Sequence, residues 1–127
     1  MTKHLLPIAA GLACLAATAA TPAAEVVDIR WDAAGRFAHQ GPVAAGKLVE
    51  VCGALPAGAT VAWRFTASTA LDFNIHYHEG KEVRYPERRD ALASASGLLQ
   101  VALDQDYCWM WTNKSGQPVR LDLQLRR

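Results

Sequence analysis

The stretch TVAWRFTASTALDFNIHYH, residues 60–78, decides the fold class of this chain. Large apolar and polar side chains alternate in it twice, first over 60–66 and again over 71–78. Because successive side chains of a strand point to opposite faces, this period of two predicts two half-buried β-strands. The apolar face of these strands carries Val61, Trp63, Phe65, Phe73, Ile75 and Tyr77.

Shorter segments of the same kind occur along the rest of the chain and are separated by turn signals. Residues 79–81, 86–90 and 113–116 are turn or loop candidates, and only 90–96 could hold a helical turn. About seven to nine short strands at regular spacing predict an all-β fold, a two-sheet antiparallel β-sandwich. The further strands are expected at 25–30, 36–39, 47–52, 82–85, 98–103, 106–112 and 118–125.

The first 24 residues differ in composition from the remainder. A weakly positive start is followed by an uncharged run over 5–20 that is rich in Ala and Leu, and then by small residues. This is the three-part layout of a secretory signal peptide, and the run is shorter than the ~20 apolar residues of a spanning helix. We therefore predict a signal peptide over 1–24 that is cleaved near Ala23 or Ala24. The alternative is a lipoprotein signal modified at Cys14.

The predicted mature chain is one domain, residues 25–127, that is periplasmic or secreted and has no membrane span. Removal of the signal peptide leaves Cys52 and Cys108, and two thiols in an oxidising compartment are expected to form a disulfide. Closing a loop of about 57 residues should stabilise the fold by roughly 4 kcal/mol. Such a bond is useful to a domain with so small a core.

The charge balance of the mature domain argues against nucleic-acid binding. The whole chain has 13 Lys and Arg residues against 12 Asp and Glu residues, so removal of Lys3 leaves 12 of each. Binding to nucleic acid needs a basic patch. The arginines within 84–89 alternate with acidic residues, which predicts a solvated loop that neutralises its own charge.

Several sequence features together resemble one known family. Cys52 stands at the end of an early strand, and the aromatic strand VAWRF (61–65) follows. The hairpin LDFNIHYHEG (71–80) comes next, and DYCWMWTN (106–113) precedes a turn and a last strand. This pattern resembles the Golgi-dynamics (GOLD) β-sandwich, in which a strand with Tyr and Cys that ends in Asn is linked by a disulfide to an upstream cysteine. The resemblance covers residues 47–125 and rests on Cys52, Tyr107, Cys108 and Asn113.

The resemblance implies an interaction domain rather than a catalyst, with an unknown protein or small ligand as its partner. An immunoglobulin-like sandwich has a similar Cys…Trp…Cys arrangement, which Cys52, Trp63 and Cys108 would match. Tyr107, however, lies one residue before the second cysteine rather than two, which favours the GOLD-like interpretation.

The feature with the most potential for chemistry is the pair His76 and His78. Residues two apart on a strand point to the same side, so both imidazoles would project together. Imidazole suits zinc, copper and nickel, but a complete site needs a third and usually a fourth ligand. The candidates for these ligands are Glu82, Asp72, His39 and Met110.

Three interpretations of this histidine pair are open. With Glu82 it resembles the first half of a cupin metal motif, although the flanking glycines and the later histidine segment are missing. With Met110, whose soft thioether favours reduced copper, and a tryptophan over the metal, it predicts a periplasmic copper-binding protein. Without a metal, both histidines belong to the polar, solvated face of a half-exposed sheet.

The strand over 106–112 carries a second candidate site. Tyr107, Trp109 and Trp111 share one face by the period of two. If Cys108 and Met110 point into the sandwich, these aromatic side chains face outward and form a binding patch. If the aromatic side faces the core, they are ordinary packing. The alternation alone is compatible with both arrangements.

No catalytic set emerges from the sequence. Ser94 and Ser96 lack a positioned histidine and acid, and the chain has neither a phosphate-binding glycine loop nor a pair of carboxylates with acid–base spacing. We therefore predict an exported, non-enzymatic binding module of GOLD-like type. The alternative is a periplasmic protein that binds copper through His76 and His78 with Met110 or Glu82.

Overall fold

The computed structural model describes residues 13–16 and 24–127, and it contains strands but no helix in these residues. None of them therefore belongs to a helix long and apolar enough to cross a membrane. The predicted signal peptide lies almost wholly outside the described residues. The strands are β1 (Glu25–Asp28), β2 (Arg36–Val43), β3 (Leu48–Leu55), β4 (Thr60–Glu79), β5 (Glu82–Gln100), β6 (Gln105–Thr112) and β7 (Val119–Arg126).

The seven strands form one sheet that curls into a half-barrel, which confirms the predicted all-β, sandwich-like fold. The curl arises at β4, because residues 62–67 pair with β7 while residues 72–76 pair with β6. β5 pairs along the opposite edge of β4. β7 and β6 therefore pair with the same edge of β4, one after the other along its length. The register is irregular between Thr66 and Leu71, where the two predicted strands join into one.

The curl divides the sheet into two layers. The first layer contains β1, β3, β6 and the second half of β4, and the second layer contains the first half of β4, β7 and β2. Aromatic rings of both layers meet between them. The ring centroid of Phe73 lies 4.9 Å from that of Phe65 and 5.5 Å from that of Trp111. Burial of these large apolar surfaces is the main force that holds the layers together.

The largest departure from the sequence-based expectation is β5. The charged loop predicted at 86–90 and the helical turn predicted at 90–96 are wrong, because both segments belong to a single strand. Ala, Ser and Arg have little intrinsic preference for strands. Pairing with β4 makes the segment extended, since Arg88 lies opposite Asn74 and Ser94 opposite Thr66.

One residue of β5 has a left-handed backbone conformation, at a point where the pairing of β5 with β4 is irregular. Ala91 has a φ of 56°, and its N–H donates a hydrogen bond of 3.0 Å to Oδ1 of Asp72. The other carboxylate oxygen of Asp72 lies 2.6 Å from Nζ of Lys114. These contacts with Lys114 and Ala91 hold the pKa of Asp72 below its usual value. Asp72 thus ties the hairpin of β4 and β5 to the turn after β6.

The predicted disulfide between Cys52 and Cys108 is confirmed. The two residues are direct cross-strand partners in β3 and β6, with their Cα atoms 4.1 Å apart. Their neighbours Val51 and Trp109 are buried in the core, so the disulfide lies on the outer face of the first layer.

The side chain of Asn113 stabilises the turn that follows β6 by hydrogen bonds. Its fully buried amide donates hydrogen bonds to the carbonyl oxygens of Val43 (3.0 Å) and Gln117 (2.7 Å). Its Oδ1 accepts the backbone N–H of Ser115 at 2.9 Å. The amide thereby connects the end of β2 to the loop between β6 and β7.

Candidate binding site

The outward orientation considered for the aromatic side chains of β6 is wrong. Tyr107, Trp109 and Trp111 are each at most 1% exposed and face the core. β6 lies between β3 and β4 in the sheet. Burying three aromatic rings removes much more apolar surface from water than burying Met110 and a cysteine, so the aromatic face turns inward. These rings are core packing, the other arrangement that the alternation allows.

The outer face of β6 carries Cys108 and Met110, which are both half-buried. The strands on either side of β6 add polar side chains to the same face, because direct cross-strand partners point the same way. Each row of paired residues across β3, β6 and β4 is called a rung here. The two rungs are Glu50–Met110–Asn74 and Cys52–Cys108–His76.

The hairpin of β4 and β5 extends this face. The ring centroid of His76 lies 5.3 Å from that of His78 and 6.0 Å from that of Tyr85. The guanidinium carbon of Arg88 lies 5.0 Å from the ring centroid of Tyr85. We call this surface the histidine face; it consists of Glu50, Asn74, His76, His78, Tyr85, Arg88 and Met110, with the Cys52–Cys108 disulfide beside them.

His76 is the most buried polar residue of the histidine face, with 4% of its surface exposed. Its Nδ1 donates a hydrogen bond of 2.8 Å to Oδ1 of Asn74, and its Nε2 lies 3.4 Å from Oε1 of Glu50. Burial lowers the pKa of His76, because the charged ring loses its hydration. The carboxylate of Glu50 opposes this shift and His78 adds to it.

The free energy of unfolding is therefore expected to fall as the pH is lowered through the ordinary histidine pKa of 6.5. In the window just below 6.5 the unfolded chain has protonated His76, whereas the folded chain has not. The unfolded state thus binds more protons there and is favoured by acid. The loss should level off once the pH has passed the lower pKa of the folded state. Urea unfolding curves between about pH 7.5 and 5 measure it.

Two variants separate this effect from other titrations. His76→Gln should remove the pH dependence in this window, whereas His78→Gln should keep most of it, since burial of His76 is the largest cause of the shift. Parallel stability profiles for the wild-type protein and His76→Gln would show that the pKa of His76 does not change on folding.

Of the four further metal ligands predicted, Met110 shares the face of the histidine pair, whereas Glu82, Asp72 and His39 do not converge on it. Glu82 lies at the end of the hairpin with an oxygen 2.6 Å from Arg84, and Asp72 is bound to Lys114. His39 belongs to β2 in the second layer. Within residues 13–16 and 24–127, no group of three or more His, Cys, Asp or Glu side chains is arranged to hold a metal ion. Copper binding by the histidine pair stays a prediction.

Sequence reasoning missed three members of the histidine face: Glu50, Tyr85 and Arg88. Glu50 alternates with the buried Val49 and Val51, so its outward direction could have been predicted from the period of two. Its contact with His76 could not, because it depends on β6 lying between β3 and β4.

No protein-family model matches the chain, and no curated protein matches it. Solved structures do. A periplasmic inhibitor of g-type lysozyme, PliG from Aeromonas hydrophila, is 13% identical with a TM-score of 0.59, over 82% of this chain and 96% of the inhibitor. The Salmonella Typhimurium PliG is 8% identical with a TM-score of 0.54, over 80% of this chain and 96% of that one.

A third similar structure belongs to a different kind of protein. The pre-peptidase C-terminal domain of a Bacillus anthracis collagenase is 8% identical with a TM-score of 0.56, over 84% of this chain and 99% of the domain. At such low identities the likeness shows the fold alone. The chain therefore has the β-sandwich-like fold that these inhibitors and this pre-peptidase C-terminal domain share. Membership of the GOLD family stays a prediction.

Proposed function

We propose that this protein is an exported, non-enzymatic module that binds a protein partner through the histidine face. The observation that carries the proposal is the composition of that face. Tyr85 is 44% exposed, Arg88 stacks on its ring, and Met110 lies on the same face, across Asn74 from Arg88. Tyr, Arg and Met are enriched at the centres of protein interfaces. An exposed aromatic anchor next to buried polar groups is the arrangement expected of a binding surface.

The fold makes this surface rigid. Cys52 and Cys108 link β3 to β6 directly beside His76, and three neighbouring strands hold the rungs in register. A surface that is already ordered before binding loses little conformational entropy when a partner docks. The GOLD-like resemblance, which implies an interaction domain, agrees with this proposal.

The similar solved structures support a protein partner and an exported location. Both PliG proteins are periplasmic inhibitors of g-type lysozyme, so they act on another protein. Their fold extends over 80% or more of this chain. A sandwich of this kind is therefore a suitable scaffold for binding a protein outside the cytoplasm, and g-type lysozyme is the first partner to test.

The surroundings of His76 support a role without catalysis. Its polar neighbours are Asn74 and Glu50, and among the described residues no hydroxyl group hydrogen-bonds to the imidazole. Cys108 lies opposite His76, but its sulfur is part of the disulfide. Nucleophilic catalysis needs a hydroxyl or thiolate next to its base.

Site-specific photo-cross-linking in the periplasm tests this proposal. A cross-linker at position 83, where Val83 lies opposite His78 on β5, should capture a protein partner. A cross-linker at position 120, where the exposed Arg120 lies on β7 in the second layer, is the matched control and should not. Tyr85→Ala should weaken the affinity for the captured partner roughly 30-fold, the effect of an interface hot spot of about 2 kcal/mol.

Three outcomes would contradict the proposal. The first is the same set of adducts from positions 120 and 83. The second is an unchanged affinity of the Tyr85→Ala variant for the captured partner. The third is a hydrolytic or oxidative activity of the purified protein that disappears in His76→Gln.

A further inference from the structure

The second layer carries a groove of about 1040 Å³ that the proposed function does not use. It is lined by residues of β2, β4, β5 and β7 and by the segment before β2. Four of the lining residues are the exposed arginines Arg30, Arg36, Arg64 and Arg126. The histidine face lies on the first layer, so the two surfaces are separate.

The strand register brings three of these arginines onto one face. Arg36 and Arg126 are direct cross-strand partners in β2 and β7. Arg126 is in turn opposite Ala62 of β4, and Arg64 lies two residues further along that strand. Diagonal neighbours of this kind are about 7–8 Å apart, and like charges directly opposite each other destabilise a sheet. The fold therefore holds these positively charged side chains next to each other despite their electrostatic repulsion.

The positive charge of the groove is not neutralised within the described part of the chain. None of the four arginines has a carboxylate oxygen at ion-pair distance. Asp32 is the acidic residue of the lining, and its Oδ1 accepts the backbone N–H groups of Ala34 (2.9 Å) and Arg36 (2.8 Å). Four arginines and one aspartate leave a net charge of 4 − 1 = +3.

Two other arginines of the chain, both in the hairpin of β4 and β5, are paired with carboxylates. Arg84 lies 2.6 Å from Glu82, and Arg89 lies 3.3 Å from Glu87. Within the groove, Arg64 instead donates two hydrogen bonds, of 3.1 and 2.8 Å, to the uncharged amide oxygen of Gln124. These hydrogen bonds fix the position of the guanidinium, and its positive charge stays without a neutralising partner because the amide is uncharged.

We propose that this groove binds an extended acidic segment of a protein, with carboxylates at alternate positions. The planar fork of arginine matches a carboxylate in bidentate geometry. Carboxylates two residues apart on an extended chain are separated by about 6.6–6.8 Å, close to the diagonal spacing of Arg64 and Arg126. The volume of about 1040 Å³ is that of a groove for several residues rather than for a single small anion.

The remaining lining fits a peptide main chain. Ala38, Ala62 and Ser96 place small side chains between the arginines, which lets a backbone approach the sheet. Leu98 is the partner of Ala62 in β5 and is 66% exposed at one side of the groove. It offers an apolar contact to a side chain of the bound segment.

Fluorescence anisotropy with the purified protein tests the inference. The probe is a fluorescein-labelled peptide of alternating Glu and Ala, and the matched peptide has Gln in place of Glu. The Glu peptide should bind at least roughly tenfold more tightly, and its affinity should fall with added salt. The double variant Arg36→Gln with Arg126→Gln should lose at least roughly tenfold in affinity for it.

A second double variant, Arg84→Gln with Arg89→Gln, removes the same charge from the hairpin and should bind the Glu peptide like the wild-type protein. Loss of like-charge repulsion should leave the melting temperature of the Arg36 and Arg126 variant equal or higher, which excludes misfolding. Three results would overturn the inference. The first is equal binding of both peptides, and the second is an equal loss of affinity in both double variants. The third is full displacement of the Glu peptide by millimolar citrate. These results do not depend on the partner of the histidine face.

Discussion

Replacing Cys52 and Cys108 together by alanine is expected to lower the free energy of unfolding by about 4 kcal/mol. The disulfide joins residues 56 positions apart, and without it the unfolded chain gains the conformational freedom of that whole loop. Both sulfurs lie on the outer face beside Glu50, Met110 and His76, so alanine at both positions leaves the aromatic core intact. The loss should therefore come mainly from the unfolded state.

Guanidinium unfolding of the variant measures this loss as a lower midpoint. Wild-type protein with its disulfide reduced is the control, and it should be destabilised to the same extent. Binding through the histidine face should also weaken in both, because the rung that contains His76 loses its covalent link to β3. A destabilisation below about 1 kcal/mol would mean that the unfolded chain gains little conformational freedom when the bond is removed.

Trp111→Ala is expected to destabilise the protein by about 3–5 kcal/mol. Trp111 is fully buried, and its ring centroid lies 5.5 Å from those of both Phe65 and Phe73. These two phenylalanines stand in the two halves of β4, so the indole contacts both layers of the curled sheet. Its removal creates a cavity at the point where the layers meet.

Trp111→Phe is the matched variant and should cost much less. It keeps an aromatic ring against Phe65 and Phe73 and removes an indole N–H that has no hydrogen-bond partner among the described residues. Chemical unfolding compares the two variants. If Trp111→Ala left stability unchanged and abolished partner binding instead, the ring would be a contact residue and not part of the core.

The strand positions could be predicted because they depend on local alternation. The apolar members at 61–65 and 73–77 all face inward as expected, and the strands around Cys52 and Cys108 were located by the same rule. Residues 86–96 could not be predicted in this way. Their composition suits a loop, and only the uninterrupted edge of β4 makes them a strand.

The candidate site was predicted in part. His76 and His78 do share a face with Met110, as their alternation indicates. Their neighbours proved to be Glu50 and Tyr85 rather than Glu82. Neither neighbour has a sequence spacing from His76 that would identify it, because each lies on a different strand.

Residue order alone determined that this chain forms β-strands, because strand formation follows a period of two. It also led to the pairing of Cys52 and Cys108, which was expected of two thiols in the predicted oxidising compartment. Only the tertiary structure decided which face of β6 is inside. The choice depends on the total apolar area buried against the second layer, and that layer is built from strands distant in sequence. The same cross-strand register placed Glu50 beside His76 and Arg36 opposite Arg126. Register between distant strands is a property of the folded sheet, and no local pattern contains it.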